Sequence, residues 1–426
     1  MWLSRLFETV VVNRWLSLTL VVALAVRLGL AFAVQQRVDQ PPAQLCLIPG
    51  DAEGYWELAR TIASGTPYRI YEPPRYVLRV PGFPALLALS QVLFGPSSFP
   101  ARCLLACVGT VACGLTYWLG RELMDATTGL IAAIYTALSP TLALFSVLIL
   151  SETMFAAALL ASLIAIVRLA RCSQGRITPL SGFAAGLTAG LFIGFATLVR
   201  PTWLYVGPAI AVAALVSGSP RGQWRNRVPC LAGVACGIVL LMAPWTMRNY
   251  CVTGHVVPTT LWVGPSLYDG LNPAATGDSD MTFIETDQLQ THMSEYEVDR
   301  EYRRRAWEFA VGNPLRMVWL AMKKQQRYWS LVPNASQFQN PLLKLVVCLT
   351  SLPLLIFGAI GLWSSRRELG LVAVTAGPVL LFAALHLLFV GSLRYRLPAE
   401  YPLAVMAAVG VRTLMLRTPW GTKNAE

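Results

Sequence analysis

Ten apolar runs of about twenty residues constrain this chain more than any other feature. A helix that crosses a bilayer needs roughly 20 mostly apolar residues, because lipid offers no partner to a backbone N–H or C=O. The runs cover about 15–36, 99–119, 128–147, 152–169, 180–199, 201–218, 229–247, 342–363, 369–390 and 396–415. They predict an all-α polytopic membrane protein with one transmembrane domain over 1–426. The run 81-PGFPALLALSQVLFG-95 is shorter and reads as interfacial. About ten transmembrane helices are therefore expected, eleven if that run crosses. Only 13% of the 426 residues are charged, about half the share of a soluble domain. The net charge of +12 points to loops that orient the spans rather than to nucleic acid.

The basic residues supply a direction. Arg5 and Arg14 precede the first run, and Arg168, Arg171 and Arg176 follow the fourth. Arg221, Arg225 and Arg227 follow the sixth, Arg366 and Arg367 the eighth, and Arg417 and Lys423 the tenth. All share one side, and the positive-inside rule makes it cytoplasmic. Both termini are then cytoplasmic. The first run is too long for the apolar core of a signal peptide, so it reads as an uncleaved span. Two large loops lie outside, at about 37–98 and 249–340. Cys46 and Cys251 fall in them, and a disulfide between the two is one alternative to two thiols. The other cysteines lie mostly in apolar runs, with no C-x-x-C pair.

The first loop carries 49-PGDAEGYWELARTIASGTPY-68. Tyr55, Leu58, Ala59, Ile62 and Ala63 repeat at i, i+3, i+4, i+7 and i+8, one face of a helix that Gly65 and Pro67 terminate. It predicts an amphipathic helix on the outer leaflet. Glu53 and Glu57 read as helix-end and surface acids; Asp51 reads as either a cap or a functional acid. The second loop begins with 264-GPSLYDGLNPAATGDSDMTF-283, which reads as mobile turns. Its later part, 296–330, alternates basic and aromatic residues at helical spacing, suiting either lipid phosphates or a solvated face.

Five arginines depart from the positive-inside pattern: Arg79, Arg200, Arg248, Arg394 and Arg396 stand at the outer boundary on four separate segments. Snorkelling, or an i,i+4 pair of Arg396 with Glu400, is the plain alternative for any one of them. Several beside an acid point to an anion site, and guanidinium suits phosphate. Glu152 opens the fourth run at the same face, where it or Ser151 equally suits a helix cap. Asp51 and Glu152 thus become candidate catalytic acids, one as general base toward an acceptor hydroxyl. A transporter or flippase would need polar groups deep in the runs, where only Arg27 and His386 stand out. A scaffold gives no reason for acids and arginines to share one face.

At these residues the chain resembles the GT-C superfamily of integral-membrane glycosyltransferases. Within it, the chain is similar to the bacterial branch related to protein O-mannosyltransferases and the lipid A aminoarabinose transferase. The resemblance runs over about 15–415, through Asp51…Tyr55, RVPGFPALLAL, ARCLLACVGTVACGLTYWLGREL, LSPTLALFSVLILSETMF, GFATLVRPTWLYVGPA, APWTMRNYCVTGHVVP, GNPLRMVWLAMKKQQRYWS and LRYRLPAEYPLAVMAA in order. It implies a GT-C fold with juxtamembrane helices in the first loop. It also implies hexosyl or pentosyl transfer from a polyprenyl-phosphate-linked sugar to a lipid, glycan or protein acceptor, outside a bacterial inner membrane. It assigns Asp51 as base or acceptor-positioning acid, Glu152 as second acid, and Arg79, Arg200, Arg248, Arg394 and Arg396 to the donor phosphate. Tyr55 and Tyr395 fall to the substrate pocket. The chain departs from the pattern with Asp51-Ala52-Glu53 where mannosyltransferases have Asp-Glu, and with Arg79-Val80 before Pro81 where the aminoarabinose enzyme has Glu-Lys. His255 alone makes no metal site; no cofactor is required, and a divalent cation stays open.

Overall fold

The protein is seen as a computed structural model that describes residues 2–41, 44–47, 50–175, 178–217, 224–333 and 340–417. Arg176, Arg221 and Lys423 of the orienting set lie outside the described residues. The helices are α1 (Trp2–Asp39), α2 (Asp51–Ala63), α3 (Gly82–Phe94), α4 (Ser98–Leu123), α5 (Ala126–Leu138) and α6 (Pro140–Phe145). Then come α7 (Glu152–Gln174), α8 (Pro179–Val199), α9 (Trp203–Ser217) and α10 (Trp224–Thr253). The second loop holds α11 (Val263–Gly270), α12 (Thr282–Asp287), α13 (Glu295–Gly312) and α14 (Pro314–Tyr328). α15 (Pro341–Ser364), α16 (Leu369–Thr375), α17 (Gly377–Leu385) and α18 (Leu393–Arg417) complete the chain.

Among the described residues, seven helices are long and apolar enough to cross a membrane: α1, α4, α7, α8, α10, α15 and α18. Three expected spans differ. The run 128–147 breaks at Ser139-Pro140 into α5 and α6, and 369–390 breaks before Pro378 into α16 and α17. Proline has no N–H to continue a helical ladder. The run 201–218 yields the 15-residue α9, because Pro201 holds off the helix start. Freed carbonyls inside an apolar bundle need donors. Arg27, fully buried in α1, donates to Thr136 O (3.1 Å) and Ala137 O (3.3 Å) at the end of α5. The deep charge that a transporter would need is thus occupied as a helix-end cap.

Small residues set the closest contact. Gly186 and Gly190 of α8 face Gly233 and Gly237 of α10, Gly194 faces Leu241, and a Cβ at Gly190 would lie 2.2 Å from Val234 O. Residues four apart share a helix face, so a small-residue stripe lets two backbones touch. At one end of the bundle Glu122 pairs with Arg168 (2.9 Å) and Arg171, and Arg412 with Asp125. The other end of α7 starts at Glu152, about 24–29 Å from Arg168 and Arg171 at 1.5 Å per residue.

Both loops correct the sequence reading. Ala52, Tyr55, Trp56 and Ala59 of α2 join the main core, and α2 packs on α3, so its apolar face meets protein instead of lipid. Ile62 remains exposed. The stretch 264–283 is not a run of loose turns. It forms α11, and buried Asp269 accepts from Ser279 Oγ (2.7 Å) and Asp280 N (2.8 Å). Cys46 is buried and Cys251 exposed, with no disulfide between them.

Candidate active site

Asp51 is the first residue of α2, entered through Gly50 at φ 92°, a left-handed turn that glycine makes without strain. Glu53 accepts from Gly50 N (3.4 Å) and Glu57 pairs with Arg60 (2.5 Å), so those two acids act locally. Asp51 turns elsewhere. Its Oδ1 lies 2.5 Å from Arg79 Nη2 and its Oδ2 lies 3.0 Å from Arg394 Nη2. Arg394 Nε donates onward to Glu152 Oε1, and Arg200 Nη2 stands 3.5 Å from the same oxygen. Two acids and three guanidiniums therefore form one chain of contacts with one positive charge in excess.

Local structure explains each position. The segment that carries Arg79 is held on several sides. Tyr68 Oη donates to Arg79 O (3.1 Å), Arg248 donates to Tyr68 O (2.8 Å) and Tyr76 O (2.6 Å), and Glu295 accepts from Tyr76 N (2.8 Å) and Val77 N (3.1 Å). Gly82 then sits so close to α8 that a Cβ would lie 2.6 Å from Leu198 O, which brings the Arg79 segment beside Arg200. Arg200 is the residue after α8, and Pro201 prevents that helix from continuing. Glu152 opens α7 and is 2% exposed, with Oε2 lacking a hydrogen-bond partner. Both acids sit at helix N-termini, where the backbone favours negative charge. Ser151 makes no side-chain cap; its Oγ instead lies 3.4 Å from Tyr55 Oη.

The rings complete the centre. Arg79 lies over Tyr55 (5.4 Å to the centroid) and Arg200 over Tyr395 (5.4 Å), which itself stacks on His386 (4.5 Å). Asp51 is 32% exposed and Arg394 19%, so an anion can reach both. Burial pushes the Asp51 carboxyl up, but Arg79 and Arg394, with Arg200 behind them, hold it far below the usual carboxylate range.

Two of the five arginines are elsewhere. Arg248 braces the 68–77 segment, and Arg396 is fully buried, paired with Glu400 at 2.8 Å and donating to Tyr328 O (2.9 Å). Residues 394 and 396 stand about 200° apart around a helix, on nearly opposite faces. His255 stacks on Tyr296 at 3.7 Å. Among the described residues no three of His, Cys, Asp and Glu gather to hold a metal.

Sequence reading missed Glu295 and Arg102. Buried Arg102 donates to Val147 O (3.0 Å) and Leu45 O (2.8 Å), pinning the link that leads into Glu152. Its signal was an arginine inside an apolar run. Glu295 had none, since it stands over two hundred positions from the amides it binds.

The chain is similar to known proteins in sequence and in fold. The family model for dolichyl-phosphate-mannose-protein mannosyltransferase matches residues 77–247. The Archaeoglobus fulgidus oligosaccharyltransferase tethered to an acceptor peptide with the NVT sequon is 16% identical, covering 94% of this chain and 50% of that one, with a TM-score of 0.58. AglB from the same organism, in complex with an inhibitory peptide and a dolichol-phosphate, is 16% identical over 97% of this chain and 52% of that one, TM-score 0.52. ArnT from Cupriavidus metallidurans bound to undecaprenyl phosphate superimposes more loosely, 15% identical over 95% and 79% of the two chains, TM-score 0.46. The chain spans about half the length of the oligosaccharyltransferases it matches. No curated protein sequence matches it. The chain thus matches the mannosyltransferase family model over residues 77–247 and shares the fold of the Archaeoglobus fulgidus oligosaccharyltransferase.

Proposed function

We propose that the chain transfers a sugar from a polyprenyl-phosphate-linked donor to an acceptor hydroxyl or amide, at the outer face of a bacterial inner membrane. The observation that carries this reading is the linked set Arg79–Asp51–Arg394–Glu152–Arg200, with its single excess positive charge. A phosphodiester is the anion that such a set suits. Arg394 and Arg200 hold the donor phosphate, Glu152 holds both guanidiniums in place, and Asp51 faces the acceptor. The acceptor heteroatom attacks the anomeric carbon as the carbon–oxygen bond to phosphate breaks. The bonding pair leaves on phosphate oxygen, which the arginines stabilise, and the acceptor proton passes to Asp51.

A carboxylate this strongly depressed is a weak base. The donor resolves the conflict: a phosphate shared among the arginines draws their charge from Asp51 and raises its basicity once the substrate is bound. The test is purified protein in liposomes with a panel of undecaprenyl-phosphate sugars, following free polyprenyl phosphate. Acceptor-dependent release that Asp51→Asn abolishes, with donor binding retained, supports the transferase. Donor that crosses the bilayer unchanged, equally in the variant, makes the protein a flippase.

A further inference from the structure

A polar cavity of about 490 Å³ opens behind the Arg394 segment, lined by Thr276, Asp278, Lys323, Gln326, Arg327 and Ser330. The volume is that of a small-molecule site. Every lining side chain can hydrogen-bond and none is apolar, so a polyprenyl tail has nothing to bind there, whereas hydroxyls and anions do. The charge balance favours an anion. Arg327 pairs with Asp278 at 2.6 Å. Lys323 lies over Trp319, 5.7 Å from the centroid, and forms no carboxylate pair among the described residues.

The cavity is tied to the reacting centre through Gly391. Arg327 Nε donates to Gly391 O (3.1 Å), and Gly391 N donates to Gly277 O (3.1 Å). A Cβ at Gly391 would lie 2.2 Å from Lys324 O, so the 391 segment lies hard against α14. Lys324 Nζ, buried behind it, donates to Leu387 O (3.1 Å) and Leu388 O (2.6 Å). Gly391 is three residues from Arg394, which allows at most about 11 Å between their Cα atoms.

Resting on the transferase reading, we infer that this cavity binds the anionic polar head of the acceptor, a sugar bearing a phosphate or carboxylate. Lys323 and Gln326 are its primary contacts. Binding there sets the 391–394 segment and so the placement of Arg394.

The experiment uses the full chain in nanodiscs and saturation-transfer NMR with glucose 1-phosphate, glucuronate and glucose. The two anions are expected to bind and neutral glucose not to. Binding should persist when undecaprenyl phosphate saturates the donor centre. It should weaken about tenfold or more in Lys323→Ala/Gln326→Ala, as loss of a charge-assisted hydrogen bond implies. Both side chains are exposed, so this variant folds, and an unchanged melting temperature checks that. Equal binding of glucose, binding indifferent to the variant, absence of binding, or displacement by undecaprenyl phosphate each overturns the cavity as an acceptor site. The transferase reading fails separately, through absence of donor turnover.

Discussion

At the scale of single residues, Asp51 and Arg394 carry the sharpest expectations. The Asp51 carboxyl is held below its ordinary value of 3.8. A depressed acid contributes stability above its unfolded pKa and loses it as pH falls through the lower folded value. Asp51 therefore stays ionised at every workable pH. In the free enzyme, kcat/KM against pH should show no acid limb from Asp51 above about pH 4; a limb near pH 5 to 6 that shifts in Asp51→Glu would contradict the arginine clamp. Arg394→Ala leaves Glu152, which is 2% exposed, with the longer 3.5 Å contact to Arg200 in place of its short pair, and losing one partner of a buried pair costs up to about 3–5 kcal/mol. The melting temperature and donor affinity should both fall. Arg394→Lys should recover part of the stability and little of the affinity, because an ammonium cannot reproduce a guanidinium fork. Unchanged donor affinity in both would return Arg394 to a structural role.

At the scale of elements, the centre depends on how closely helices approach. Gly82 begins α3 against the last turn of α8, where a Cβ would sit 2.6 Å from Leu198 O and 3.0 Å from Leu198 C. Both atoms are backbone, so no rotamer change relieves the clash. Gly82→Ala should cost about 1–3 kcal/mol, as overpacking does, and should lower turnover by moving Arg79 relative to Arg200. Thermal unfolding and donor turnover measure the two effects; a variant with wild-type values of both would mean that α3 adjusts freely. The short helices follow the same logic. Pro140 and Pro378 were visible in the apolar runs, yet what makes the break at Pro140 tolerable lies far away, in Arg27, and Lys324 likewise serves the 387–388 carbonyls past the end of α17.

At the scale of the whole molecule, sidedness is the open expectation, and labelling decides it. With the nine cysteines replaced, Leu315→Cys on α14 should react with an impermeant maleimide from outside. Leu180→Cys at the start of α8 should react only after permeabilisation. Both positions are highly exposed, at 86% and 77%. The reverse pattern would put Asp51 and Glu152 in the cytoplasm and remove an extracytoplasmic reaction. Much of the architecture was legible in the sequence, because hydropathy sums local transfer free energies that need no knowledge of the fold. So were the acids and arginines that break the expected charge pattern, including Asp51, Glu152, Arg79, Arg200 and Arg394. Hydropathy also counted spans that the structure builds as short or broken helices, since it cannot see which carbonyls find donors. The tertiary structure alone decided which charges meet. Arg394 and Arg396 differ by two positions, yet helix phase sends one to Asp51 and Glu152 and the other to Glu400. Arg248 met carbonyls where an anion was expected, and Glu295 met amides more than two hundred positions away. Ion pairs require ångström placement of side chains from distant segments, and only packing supplies it.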